Sequence, residues 1–173
     1  MGIIEGAVAR VLTNAGVPSA GTDEVQTLTI GGTPTSGTFK LAFEGFVTAA
    51  ITWSSTNATL LANINTALRA LASLGSSEIT AAAGSLTAGI GTITLTFGGN
   101  RAKQAIGSLI SVADNSLAGT NPTLSIAETT PGVDATFRGA PKGQLVVDTT
   151  NGKLYINTGT ALAPTWTVVG TQS

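Results

Sequence analysis

Apolar and polar residues alternate along most of this chain, and only one stretch changes period. Val25, Leu28 and Ile30 open the β-like pattern, which then meets the turn-rich run Gly31-Gly-Thr-Pro34-Thr-Ser-Gly37. Phe39, Leu41 and Phe43 next alternate with Lys40, Ala42 and Glu44, so one face of a strand is apolar and the other polar. Gly45 interrupts, and Phe46 to Trp53 reads as another strand. Further strands are expected at Glu78–Ala82, Thr92–Phe97, Leu109–Val112 and Pro122–Ala127, each separated from the next by Gly, Ser, Thr or Asn.

Between residues 56 and 74 the period lengthens. Leu60, Ile64, Leu68 and Leu71 fall on one side of a helix, with Leu61, Ala67, Ala70 and Leu74 beside them. Ser55, Thr56 or Asn57 is placed to cap its start, and Gly75 follows its last apolar residue. The stripe Leu60, Ile64, Leu68 and Leu71 is therefore the expected contact of helix with sheet. Gly37–Gly45 and Gly91–Gly99 agree at six of nine positions when the apolar pair Phe39 and Ile93 is counted. They flank the helix, each as the second arm of an expected hairpin. Such a likeness either marks a pseudo-symmetric domain or reflects what hairpins have in common.

The last thirty residues form a second pattern. Two apolar-polar runs, Gln144–Asp148 and Lys153–Asn157, flank Asn151-Gly152, a pair that accepts positive φ in a tight turn. A two-residue loop sets Thr150 opposite Lys153 and Val147 opposite Ile156. A three-residue loop with a bulge sets Thr149 opposite Lys153 and Val147 opposite Tyr155. The first register is preferred, because it suits the Asn-Gly turn. Asp148, at the hairpin shoulder, is expected to accept hydrogen bonds from turn amides. Pro164–Val169 returns as a third strand. The organisation expected is an apolar arm over 1–22, a main domain over 23–133, a linker over 134–143 and a β-hairpin module over 144–173. The fold class expected is a β-rich α+β protein, its antiparallel sheet crossed by one main helix.

Composition narrows the chemistry. Only 10% of the 173 residues are charged against 42% hydrophobic, and the formal net charge is −1. A sparsely charged surface of Ser, Thr, Ala, Asn and Gly suits a protein packed among neighbours better than one working free at high concentration. The eight basic residues are scattered, with Arg101 and Lys103 close neighbours in what reads as a solvated loop, so no nucleic-acid footprint is present. No run approaches the length needed to span a bilayer, and the N-terminus lacks a signal-peptide pattern, which leads to an expectation of cytoplasmic synthesis and no membrane partner. The chain has no Cys and no His, which removes thiolate ligands, the commonest general base and the commonest metal ligand together. Of the nine acidic residues only Asp23 and Glu24 are adjacent, and adjacent strand residues face opposite ways. Gly32–Thr38 has the glycine spacing of a phosphate loop but lacks its lysine and leads into a strand. The expectation is a non-enzymatic protein with no metal and no organic cofactor.

The segment Gly143–Gly159 with Ala163–Gly170 resembles the C-terminal tags of tailed-bacteriophage virion proteins, in particular head-fibre and capsid-decoration proteins. The middle of the chain, with its Phe-x-Leu-x-Phe-x-Gly strand at Phe39–Gly45, Ala/Leu-rich helix and Thr-x-Thr-Phe-x-Gly-type strand, is similar to a domain recurrent in such proteins. The likeness spans most of residues 24 to 173. It implies a structural role on a virus particle: binding the major capsid protein on the outer surface of the shell and self-association, with a homotrimer suiting the threefold positions of an icosahedral shell. A tail or neck component of the same particle is the alternative, and a bacterial extracellular adhesive or surface module is the alternative of another class. Ile3 and Ile4 in the arm, and Tyr155 and Trp166 in the module, are the candidate interface residues, because a three-stranded piece of this size is marginal without packing.

Overall fold

A computed structural model describes residues 10–12 and 18–171. Over these residues the protein is β-rich with one α-helix, an α+β architecture built on antiparallel sheets. The strands are β1 Arg10–Leu12, β2 Val25–Phe43, β3 Phe46–Val47, β4 Ile51–Thr52, β5 Ile79–Ala83, β6 Gly91–Phe97, β7 Ser111–Thr130, β8 Leu145–Asp148, β9 Lys153–Asn157 and β10 Trp166–Val168. Helix α1 spans Asn57–Arg69. Six strands form the larger sheet, in which β2 joins β7 along one side and β6, β4 and β3 along the other, with β5 beyond β6.

The expected connector Gly31–Gly37 is not a turn. It runs inside β2, a strand of 19 residues, and the two strands expected near 109–112 and 122–127 are likewise one strand of 20 residues, β7. Each long strand satisfies the backbone groups that the other turns toward it. Register shifts at Gly31/Thr33 and Pro34/Ser36 act as bulges, and residues with positive φ gather around them, Gly32 and Gly37 on β2 and Gly119 and Asn121 on β7. The bulges move the buried positions from Gln26, Leu28 and Ile30 to Phe39, Leu41 and Phe43, so that both halves of β2 face one core. Gly32 cannot be replaced at this crossing, since an added Cβ would lie 2.0 Å from the Asn121 carbonyl oxygen. As a result only the Gly91–Phe97 copy of the repeat is the second arm of a hairpin. The Gly37–Phe43 copy is the far half of β2.

Phe46–Trp53 is likewise two short strands. Between them the buried Thr48 donates its N–H to Leu41 O at 2.8 Å and accepts from Leu41 N through its hydroxyl at 3.1 Å. One side chain thus fills the place of a regular ladder pair.

The helix is shorter than its apolar pattern. It ends at Arg69, and Leu71 N→Leu68 O and Leu74 N→Leu71 O bonds continue the chain in tighter turns. The spacing shows why: Leu60, Ile64 and Leu68 recur every four residues, whereas Leu68, Leu71 and Leu74 recur every three, the period of a 3-10 turn. Thr56 occupies the cap position but makes no side-chain cap bond. Asn57 directs its amide instead to Leu86 O and Gly89 N, each within 2.9 Å.

The smaller sheet has the order β1-β8-β9-β10. Strand β1 lies parallel to β8, with Arg10 opposite Val146, so part of the expected arm belongs to the C-terminal sheet. The stretch expected as linker is fixed as well. Ala140 is fully buried and Phe137 packs on the module's core, while Arg138 Nε donates to Ala102 O at 2.8 Å.

Candidate functional site

Among the described residues, most acidic groups are committed to holding loops, and Glu128 on β7 is the exposed exception. Asp23 accepts from Lys103 N at 2.8 Å and lies 3.5 Å from its ammonium. Glu24, facing the other way and buried, accepts from Gln26 Nε2 at 2.8 Å and Ile106 N at 2.7 Å. Arg101 pairs with both oxygens of Glu44, at 2.9 and 2.6 Å, lies 3.5 Å from Glu78 and stacks 5.1 Å from the centre of the Phe43 ring. The Gly75 N–H, with help from Asn100 and Arg101, holds the Glu78 carboxyl below its ordinary pKa against the opposing effect of burial. The Glu44 hydrogen bonds raise that of Arg101. Arg101 and Lys103 therefore anchor the loop after β6, contrary to the solvated reading, because acids from three separate segments converge on it. Among the described residues no three His, Cys, Asp or Glu side chains lie together.

The surfaces are more telling than the charges. The outer face of β5, β6, β2 and the C-terminal half of β7 is a hydroxyl array. Thr80 lies opposite Thr96, Thr94 opposite Thr27, and Thr92 opposite Thr29, with Ser125 and Thr123 continuing the rows onto β7. Ala82 and Ala127 stand beside Thr94 and Thr27, and Val25 beside Thr96 and Gly31 beside Thr123 complete the face. No position of this face is charged. It follows from the Thr-x-Thr alternation, whose other parity supplies Ile93, Leu95 and Phe97 to the core.

The candidate interface residues fall elsewhere than expected. Ile3 and Ile4 lie outside the described residues. Tyr155 and Trp166 are not available to a partner, being 2% and 8% exposed in a core with Val146 and Ala140. Phe137 meets Trp166 edge to face at 6.2 Å, and the Trp166 indole donates to Thr136 O at 3.0 Å. They are buried because the stretch 134–140 folds back beneath the sheet. The other face of the small sheet holds Leu145, Val147, Leu154 and Ile156, all half-buried, with Val11 beside them at 54% exposed. The stripe residues Leu60, Ile64 and Leu68 have no exposed surface and Leu71 has 6%.

The hairpin takes neither of the two expected registers. Asp148 pairs with Lys153 and Val146 with Tyr155, leaving a four-residue loop. Asp148 decides this. Its carboxylate accepts from Thr150 N at 3.0 Å, Asn151 N at 3.1 Å and Asn151 Nδ2 at 2.7 Å. These bonds, the Asn151 side chain first, hold its pKa below the usual Asp value, against the effect of burial. Gly152 takes positive φ while Asn151 does not.

No family model matches the chain, and no curated protein does. Among solved structures, a chain from Mycobacterium phage Patience aligns with a TM-score of 0.42 at 13% identity, over 88% of this chain and 57% of that one. This chain thus spans less than two thirds of that one's length.

Proposed function

We propose that this protein is a structural component of a tailed-phage particle that binds the outer capsid surface and stabilises the shell by contact, without catalysis. The observation that carries the reading is the uncharged Thr/Ser face of the larger sheet. Such a face costs less to desolvate than a charged one, and its methyl groups and hydroxyls together suit packing against another protein. Arg101, Lys103 and the acids that meet them are spent on internal bonds, in keeping with a binding role. A protein that binds only the assembled lattice shifts the equilibrium toward it. Particles lacking the protein are expected to assemble but to lose resistance to heat and osmotic shock, and adding the purified protein back is expected to restore it. Unchanged capsid stability together with lost host attachment or tail assembly would assign the protein to the tail.

Self-association as a trimer belongs to the same proposal. With Tyr155 and Trp166 internal, the surface of the small sheet that suits it is the face of Leu145, Val147 and Ile156. Sedimentation equilibrium is expected to show a trimer in solution or on particles. A monomer in both settings overturns it.

A further inference from the structure

The larger sheet ends in two different ways. At the β5 edge, helix side chains occupy the outward backbone groups: Asn65 donates to Ala81 O and accepts from Ala81 N, both at 2.9 Å, and Arg69 Nε donates to Ile79 O at 3.0 Å. Asn63 does the same for β4, donating to Thr52 O at 2.8 Å. At the opposite side β7 pairs only with β2; side chains reach its backbone at Leu117, Ala118 and Pro122, whereas along Thr123–Thr130 no strand or side chain among the described residues meets the outward N–H and C=O groups. Proteins commonly blunt such edges with lysine, yet β7 carries no lysine or arginine. Pro122 and the bulges disturb its middle, but the half Thr123–Thr130 beyond them pairs with Gln26–Gly31 without a register shift except at its end.

A groove of about 270 Å³ opens beside this half-strand. Glu128 forms one wall and Ile106–Leu109 the other, with Glu24 and Gln26 in its floor. Both oxygens of Glu24 and both polar atoms of the Gln26 amide are hydrogen-bonded, whereas Glu128 is exposed and has no ion-pair partner among the described residues. Leu109 is 50% exposed. A Cβ placed on Gly107 would meet nothing within 4 Å, so the groove is open there.

We propose that Thr123–Thr130 accepts an extended strand from a partner protein, one carrying an apolar side chain that covers Leu109 and a lysine or arginine that meets Glu128. Backbone pairing supplies the affinity of such strand addition, and the alternate side chains that drop into an adjacent groove supply its specificity. The negative charge at the rim selects a basic strand over an acidic one. The added strand's other side chains extend the Thr/Ser face, where hydroxyls fit and charges do not. Strand addition here is independent of whether the partner belongs to a capsid.

The test uses the full chain and two labelled octapeptides, Thr-Val-Thr-Lys-Thr-Leu-Thr-Val and the same peptide with glutamate in place of lysine. Fluorescence polarisation measures binding and hydrogen exchange follows the amides of Thr123–Thr130. The lysine peptide is expected to bind and to slow exchange in that segment, and the glutamate peptide to bind about tenfold more weakly. Glu128→Lys is expected to invert that preference. Gly107→Trp, which fills the groove, is expected to weaken both peptides with the melting temperature unchanged. Absence of binding, equal binding of both peptides to parent and Glu128→Lys, or binding without slowed exchange in Thr123–Thr130 overturns the proposal. So does concentration-dependent protection of that segment without peptide, which would make a second copy the occupant.

Discussion

The larger sheet with its helix and the small C-terminal sheet solve the same problem by different means. The first buries a broad apolar set, from Leu28 and Ile30 through Phe39, Leu41 and Phe43 to Ile93, Leu95 and Phe97, closed by Leu60, Ile64 and Leu68. The second has a buried cluster of only Ala140, Val146, Tyr155 and Trp166, with Phe137 packed on it. Its deficit is met by polar side chains. Asn157, 1% exposed, donates to Ala140 O at 2.7 Å and accepts from Gly159 N and Thr165 N at 2.9 Å each, while Asp148 holds the hairpin loop. A small module cannot remove enough apolar surface from water, so each satisfied buried polar group counts for more in it.

Substitutions in each region sharpen or break this contrast, and the protein carries a reporter for each, Trp53 packed on the main core and Trp166 in the module. The largest effect is expected from Leu68→Ala, which opens a cavity in the main core and costs about 2–5 kcal/mol. Denaturant melts followed by Trp53 fluorescence are expected to show that loss. A parent-like melt would mean that the stripe contributes nothing.

Asn157→Ala is expected to cost about 2–4 kcal/mol, since it strands several backbone groups at about 1–3 kcal/mol for each one left buried and unpaired. In a Trp53→Phe background, Trp166 reports the loss. If the whole chain melts in one step at a lower midpoint, the two regions form one cooperative unit and the contrast fails.

The smallest effect concerns pH. The folded pKa of Asp148 is lowered from 3.8, so its contribution is complete above the unfolded value and fades as pH falls through the folded one. The module is therefore expected to lose stability below about pH 4, and Asp148→Asn to flatten that part of its profile. An identical acid profile for parent and variant, read by Trp166, would remove Asp148 from the account.

Much of this architecture is legible in residue pattern, and its failures have physical causes. Thr-x-Thr alternation at Thr92–Thr96 marks a strand, and the fourfold spacing of Leu60, Ile64 and Leu68 marks the helix. Asp148 is recognisable as a turn acceptor because its partners are two and three residues away. The hairpin register was not legible, because Asn-Gly alone favours a shorter loop than the one Asp148 closes. Gly31–Gly37 reads as a connector for a related reason. Gly, Pro and Ser in series break a strand in isolation, and only pairing with Leu117–Thr123 makes them part of one.

The candidate surfaces divide along the same line. Local spacing determined which residues are apolar on one face and hydroxylated on the other, since strand and helix periods are set within a few residues. Tertiary structure alone decided that residues 134–140 fold beneath the small sheet and bury Tyr155 and Trp166. It also decided that Asn63, Asn65 and Arg69 seal β4 and β5 while β7 stays open. Contacts between segments far apart in the chain depend on how the whole chain closes, and no local period encodes that.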